Sequence, residues 1–284
     1  MKKKTIFIIS AIVIVLIGCG IGGYFYYQQQ NQETQQITKS KNKTTKKSEK
    51  VTKKTSVSIV AVGDSLTQGV GDTSKNGEGY VTRLSKKISK KYKVKTSTHN
   101  YGVSGDTSTQ IMKRIDNNDK MHSDLKNADI ITVTVGGNDF MHLLQKKGLD
   151  LTSKDISTEE GNFDKRLVKL LDDLRIYNKN APIYLIGIYN PFSIYLSNVT
   201  GATSAFKKWN ESSENVTKDM SNVHFVDINN LYASKYAINV TKKTGSNPYL
   251  FDEDHFHPNS IGYDMMTNKI FKEAKKTDKE WIDK

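Results

Sequence analysis

From Val57 onward, short apolar runs alternate with longer segments in which apolar residues recur every three or four positions. The runs at Ser58–Val62, Val94–Asn100, Ile130–Val135, Ile183–Ile188 and His224–Asp227 have the length of buried strands. Between them, Val81, Leu84, Ile88 and Tyr92 fall at helical spacing, and Phe163, Leu167, Leu170, Leu171, Leu174 and Tyr177 make a fuller apolar face on another helix. A closing helix is predicted from about Pro258 to Ala274, with Pro258 at its start, where a missing N–H costs least. Such alternation implies a parallel sheet with helices on both faces. The roughly 228 residues from Val57 to Lys284 suit one such domain with a single core, and they contain no internal repeat.

Upstream the pattern changes twice. Lys2, Lys3 and Lys4 precede an uncharged run of 23 residues, Thr5–Tyr27, and a helix needs roughly 20 apolar residues to cross a bilayer core. Lysines before the run and Tyr24, Phe25, Tyr26 and Tyr27 at its far end fit a cytoplasmic N-terminus and an outer interfacial belt. Residues 1–27 therefore read as a membrane anchor or signal segment that places the remainder outside the cytoplasm. Leu16-Ile17-Gly18-Cys19 also resembles a bacterial lipobox, with Cys19 in the position that is lipidated after cleavage. An uncleaved anchor is favoured, because the apolar run continues past Cys19. The chain's one cysteine excludes an intramolecular disulfide framework.

Residues 28–56 carry almost no apolar side chains and read as a disordered tether leading to the domain at 57–284. Charge refines this picture. Of the formal net charge of +13, the tether contributes +6 and the first 27 residues +3, leaving only +4 for Val57–Lys284. The basic balance thus belongs mainly to the tether, where anionic lipid headgroups or wall polymers are the expected contacts. No nucleic-acid module is present in it.

The candidate chemistry lies where the predicted strands end. Active sites of open α/β sheets form beyond the carboxyl ends of the strands. There the sequence has GDSLTQG after the first strand, NYGVSGDTS after the second and GGNDF after the third, with FDEDHFHP just before the closing helix. Ser65 is the candidate nucleophile, although Thr67 rather than glycine follows two residues later, so this is not a G-x-S-x-G elbow. A serine hydroxyl needs a base within reach, and the base needs an orienting acceptor. Singly, His257 also reads as a buttress of the closing helix and Asn138 as a turn residue. Asp64 reads as structural, orienting the loop around Ser65. Asp252, Asp254, His255 and His257 form a local cluster with the elements of a zinc site, but a metal there would explain neither GDS nor GGND.

GDSL at Ser65, SGDT at Gly105, GGND at Asn138 and D-x-x-H-P at Asp254 and His257, in that order, resemble the SGNH hydrolases, also called the GDSL esterase/lipase superfamily. The resemblance covers Val57–Ala274, and SGDTS with D-x-x-HPN leans towards bacterial thioesterase and lysophospholipase-type members. It implies a three-layer α/β/α, flavodoxin-like fold with a parallel five-stranded sheet. It also implies Ser65 as nucleophile, His257 as base and Asp254 as its orienting partner, with an oxyanion hole from the N–H groups of Ser65 and Gly105 and the Asn138 amide. No metal or cofactor is required by that chemistry.

Substrate recognition is expected in Tyr189–Thr203, where Phe192, Ile194, Tyr195 and Leu196 either line an acyl pocket or pack as core. Met141–Glu160 reads as a lengthened connection after GGND. The leading expectation is an extracytoplasmic, membrane-tethered hydrolase of lipid-type acyl esters. The alternatives are a carbohydrate O-acetylesterase acting on wall or surface polysaccharide, and a non-catalytic envelope-binding module.

Overall fold

The computed structural model describes residues 53–75, 77–147, 152–191 and 200–283. The expected anchor with Cys19, most of the tether, and Phe192, Ile194, Tyr195 and Leu196 lie outside the described residues. Five parallel strands form one sheet: β1 (Ser56–Gly63), β2 (Lys95–Gly102), β3 (Ile130–Thr134), β4 (Ile183–Ile186) and β5 (Val223–Val226). Their order is β2-β1-β3-β4-β5. Chain direction along the sheet reverses at β1, so a crevice opens between the carboxyl ends of β1 and β3.

Strand alternation divides the core in two. Val60, Val62, Ile131, Val133, Ile183 and Leu185 point to one face. There they meet α3 (Ser108–Asp116), α4 (Asp119–Lys126), α6 (Ser153–Tyr177) and α7 (Thr200–Lys218) through Ile111, Leu125, Leu170 and Trp209. Val57, Ile59, Ala61, Ile130, Tyr184 and Ile186 point to the other. They are covered by α2 (Gly79–Tyr92), α9 (Ser260–Lys276) and α10 (Lys279–Ile282) through Leu84, Ile88, Met266, Ile270 and Trp281. The remaining helices are α1 (Ser65–Gln68), α5 (Gly137–Lys147) and α8 (Lys235–Thr244). This is the three-layer α/β/α arrangement. Among the described residues no helix is long and apolar enough to cross a membrane.

Several expectations are corrected. The second strand is an edge strand, and most of its side chains are exposed or half-buried; only Val94, just before it, is buried. Its polar sequence, KTSTHNYG, is what an unpaired edge tolerates without inviting another strand. Met141–Glu160 is largely helical rather than a long loop: α5 runs to Lys147 and α6 starts at Ser153. A capping box between Thr152 and Asp155 satisfies the first N–H groups of α6. Pro258 precedes the closing helix instead of opening it, because Asn259 takes the N-cap and accepts from the N–H groups of Ile261 and Gly262. Finally, the folded part takes in Lys53–Ser56 from the expected tether. Lys53 bridges Asp283, Lys54 pairs with Asp129, and Ser56 opens β1. Both described chain ends therefore meet at the amino edge of the sheet.

Candidate active site

β1 ends at Gly63, and Asp64 caps the single turn of α1, accepting from the Leu66 N–H at 3.0 Å. Ser65 is consequently the first residue of a helix, 6% exposed, with its N–H in the orphan set that a helix start leaves without intrahelical partners. Asp64 has the structural role the sequence suggested. Thr134 Oγ1 donates to Asp64 Oδ1 at 2.7 Å, Thr67 lies 2.8 Å from Thr134, and Tyr80 lies 2.9 Å from both Thr67 and Thr132. Each hydroxyl has one hydrogen, so the bond to Asp64 sets the direction: Thr132 donates to Tyr80, Tyr80 to Thr67 and Thr67 to Thr134. Burial pushes the Asp64 carboxyl up, against hydrogen bonds from Thr134 and Leu66 and the nearby His257. This hydroxyl chain was not among the features expected from sequence; threonines alternating with apolar residues in ITVT were its signal.

His257 reaches Ser65 from the far end of the chain. Its Nε2 stands 2.9 Å from Ser65 Oγ, and its Nδ1 stands 2.6 Å from Asp254 Oδ2. With the Nδ1 hydrogen donated to the carboxylate, Nε2 is left to accept the serine proton. The other oxygen, Asp254 Oδ1, accepts from the N–H groups of Phe256 and His257 at 2.8 and 2.9 Å. Burial works against the charged form of Asp254, but hydrogen bonds from His257 and these two N–H groups outweigh it and hold the carboxyl below its ordinary range. The turn places His255 at a positive φ of 54°, leaving its side chain exposed. Among the described residues no three His, Cys, Asp or Glu side chains form a metal-holding group. Asp252 instead accepts from Ser246 Oγ at 2.5 Å.

A buried ion pair braces the histidine. Asp72, whose side chain is fully buried, accepts from Arg83, from the Ser74 N–H at 3.0 Å and from the Gly79 N–H at 2.7 Å. Arg83 also donates to Ser260 Oγ and Asp264 Oδ1, each at 2.9 Å, so α2, the 69–74 loop and the start of α9 are joined. Within that loop Gly71, at φ +83°, lies against His257; a Cβ there would stand 2.8 Å from the His257 Cβ.

The remaining candidates sit on the loop after β2 and at the start of α5; Asn138 lines the same pocket as Ser65 and is tied through Asp106 to the loop that carries Gly105. Gly105 is exposed at φ +85°, a conformation glycine adopts without strain. The N–H groups of Ser65 and Gly105 donate to no acceptor among the described residues. Asn138, in the first turn of α5, donates one amide hydrogen to the Asp106 carbonyl at 2.8 Å and keeps the other. Next to it, Asp139 accepts from the N–H and Oγ of Ser108 at 2.9 and 2.6 Å and from Arg166 at 3.1 Å, locking α5 to α3.

An apolar pocket opens beside Ser65 and Asn138, walled by Leu66, Val135, Met141, Ile188, Phe206 and Phe256. Gly105 is outside this wall. Met141 opens the expected Met141–Glu160 stretch, and Tyr189 and Pro191 fall in the expected Tyr189–Thr203 stretch, whereas Phe206 lies beyond both. Met141 stands one turn after Asn138, a spacing visible only once α5 is read as a helix.

Comparison with known proteins agrees with this architecture. The chain is 29% identical over 277 residues to the uncharacterized protein YpmR of Bacillus subtilis, covering 97% of this chain and 98% of YpmR. It is 26% identical over 215 residues to the spore germination lipase LipC of Bacillus licheniformis, covering 74% of this chain and 92% of LipC. The crystal structure of the lipase Lip_vut3 from a goat rumen metagenome shares the fold, with a TM-score of 0.63 at 23% identity over 75% of this chain and 95% of that one. The model of the GDSL-like lipase/acylhydrolase family matches residues 61–265, which span every one of the segments that meet at Ser65. With that match over most of its length, the chain belongs to the GDSL-like lipase/acylhydrolase family and is an ester hydrolase of the esterase/lipase type.

Proposed function

We propose that this chain is an extracytoplasmic serine hydrolase, held at the membrane by its N-terminal segment, that cleaves lipid-type acyl esters through an acyl-enzyme on Ser65. The observation that carries the reading is the continuous line from Ser65 Oγ to His257 to Asp254 at 2.9 and 2.6 Å. As Ser65 Oγ attacks the ester carbonyl, its proton passes to His257 Nε2, and Asp254 stabilises the imidazolium. Collapse of the tetrahedral adduct expels the alcohol, which takes that proton. Water then attacks the acyl-enzyme, giving its proton to His257 and releasing the carboxylic acid while Oγ recovers a proton.

Proton transfer of this kind contributes about 10²–10⁴ in rate, and each oxyanion donor about 10²–10³. Ser65 N–H, Gly105 N–H and the second Asn138 amide hydrogen are those donors in this reading. The apolar wall at Met141, Phe206 and Phe256 favours an acyl chain over a polar acyl group. The 23-residue run at Thr5–Tyr27 and the lysine-rich stretch after it support placement at a membrane surface.

The test is hydrolysis of a p-nitrophenyl ester series from acetate to palmitate, with Ser65→Ala as control. Activity that rises beyond acetate and vanishes in the variant supports the proposal. Activity confined to acetate turns it towards an O-acetylesterase, and no Ser65-dependent hydrolysis of any ester overturns it.

A further inference from the structure

We infer that Arg114 is a positioning residue for the oxyanion donors, setting the spacing of the three segments that carry them; the inference rests on the acyl-transfer reading of Ser65. Arg114 stands in the last turn of α3, remote in sequence from the nucleophile and the histidine. Its guanidinium Nη1 donates to the Tyr101 carbonyl at 2.7 Å. Its Nη2 donates to the Gly63 carbonyl at 3.0 Å and to Asp106 Oδ2 at 2.6 Å. Those acceptors belong to the carboxyl ends of β2 and β1 and to the loop between β2 and α3.

Two of the three acceptors are close in the chain to a donor. Gly63 is two residues before Ser65, and Asp106 follows Gly105 directly. The Asp106 carbonyl, in turn, receives the Asn138 amide at 2.8 Å. One planar cation thus holds the ends of two strands and the SGDT loop in register, and that loop holds Asn138. A rigid fork is suited to holding three acceptors at once, because its donors diverge at fixed angles, whereas a lysine ammonium is a single point on a flexible stem.

The arrangement is costly. The Arg114 side chain is 18% exposed, and its Nε is buried with no hydrogen-bond partner. Burial draws the guanidinium below its ordinary pKa, with Asp106 and Asp64 pulling the other way. Such a cost is expected where geometry is being held, because displacements of about 1 Å are felt as roughly 10² in rate.

The experiment compares wild type, Ser65→Ala, Arg114→Lys and Arg114→Met. Active sites are counted by end-point labelling with a fluorophosphonate, so that misfolded protein does not enter kcat. The affinity for a phenylboronic acid, which forms a tetrahedral adduct with a serine oxygen, is measured beside KM. The expected result is a fall of about 10–100-fold in kcat per labelled site, given the weight of one oxyanion donor. KM stays within about threefold, and boronate affinity falls in step with kcat/KM. Arg114→Lys should retain more than Arg114→Met.

A purely structural arginine would lower the number of labelled sites and leave each one unchanged. Variants that keep kcat per site and boronate affinity within about twofold of wild type therefore overturn the inference. Should Arg114→Met fail to fold, Asp106→Asn weakens one of the three ties without altering size, and a severalfold fall in the same two quantities is expected. Wild-type protein that neither hydrolyses esters nor labels at Ser65 overturns the acyl-transfer reading itself, and is read from the first two proteins before Arg114 is considered.

Discussion

Replacing Asp72 with asparagine tests the ion pair that braces the histidine segment. The substitution keeps the volume of the side chain, but it removes the negative charge and turns one acceptor into a donor facing the Arg83 guanidinium. The Asp72 side chain is covered from solvent, and the Arg83 side chain is only 10% exposed, so little water can replace the lost partner. Breaking a buried pair by removing one member costs about 3–5 kcal/mol, because the survivor is left as an uncompensated charge. Here Arg83 keeps a second carboxylate, Asp264, at 2.9 Å, but that group is 62% exposed and screened. The expected loss is therefore at the lower end, about 3 kcal/mol. Urea denaturation of wild type and Asp72→Asn, with unchanged m-values, measures it.

The same pair predicts a pH dependence. Burial opposes the charge on Asp72, yet the Arg83 hydrogen bonds and those from Ser74 and Gly79 prevail and hold its pKa below the ordinary carboxylate value. An acid depressed in the folded state stabilises the fold fully above its unfolded pKa, about 3.9, and loses that contribution as pH falls through the folded value. The gap between wild type and Asp72→Asn should thus be flat above about pH 5 and narrow below about pH 4. A gap under about 1 kcal/mol at neutral pH, or one that widens in acid, would refute the reasoning.

Three further substitutions probe other parts of the molecule. Gly102→Ala places a Cβ 2.1 Å from the Gln68 nitrogen and 2.5 Å from the Thr67 carbonyl carbon, both backbone atoms of the turn that carries Ser65. It should cost about 1–3 kcal/mol as overpacking and reduce kcat more than KM, as read by thermal melting and steady-state kinetics. Lys93→Gly relieves a left-handed residue at φ 58° in the C-cap of α2, where the side chain is exposed; a rise in stability of about 0.5–1 kcal/mol is expected from urea melts. Asp254→Asn leaves the fold intact but removes the acceptor that fixes the His257 tautomer, and kcat should fall by about 10⁴ while fluorophosphonate labelling of Ser65 slows in parallel.

What could be read from sequence followed from how local the cause was. β1, β3 and β4 were legible because a strand buried on both faces must be apolar at every position, as Ile130–Thr134 nearly is. The edge strand β2 was located but given the wrong environment, since an apolar residue beside it, Val94, belongs to the core while the strand itself does not. Helices α5 and α7 escaped because their inward residues, such as Phe140, Phe206 and Trp209, gather against one another and against Phe163 rather than along a regular stripe. Ser65, Asp254 and His257 were legible through their motifs, which report chemistry. Arg114, Asp72 and the chain of hydroxyls from Thr132 to Asp64 were not, because each acts on residues brought near only by folding; Arg83 and Ser260 are 177 positions apart.

The meeting of the two described chain ends at one edge of the sheet has a directional consequence. Lys53 lies beside Asp283, and β1 runs its eight residues from there, about 26 Å, before delivering Ser65 at the opposite edge. A domain gripped at either end therefore faces outward, its reactive mouth turned away from whatever holds it. A bead, a surface or a fusion partner attached at Lys53 or Asp283 leaves the mouth open, whereas one attached within the 246–257 loop stands over it.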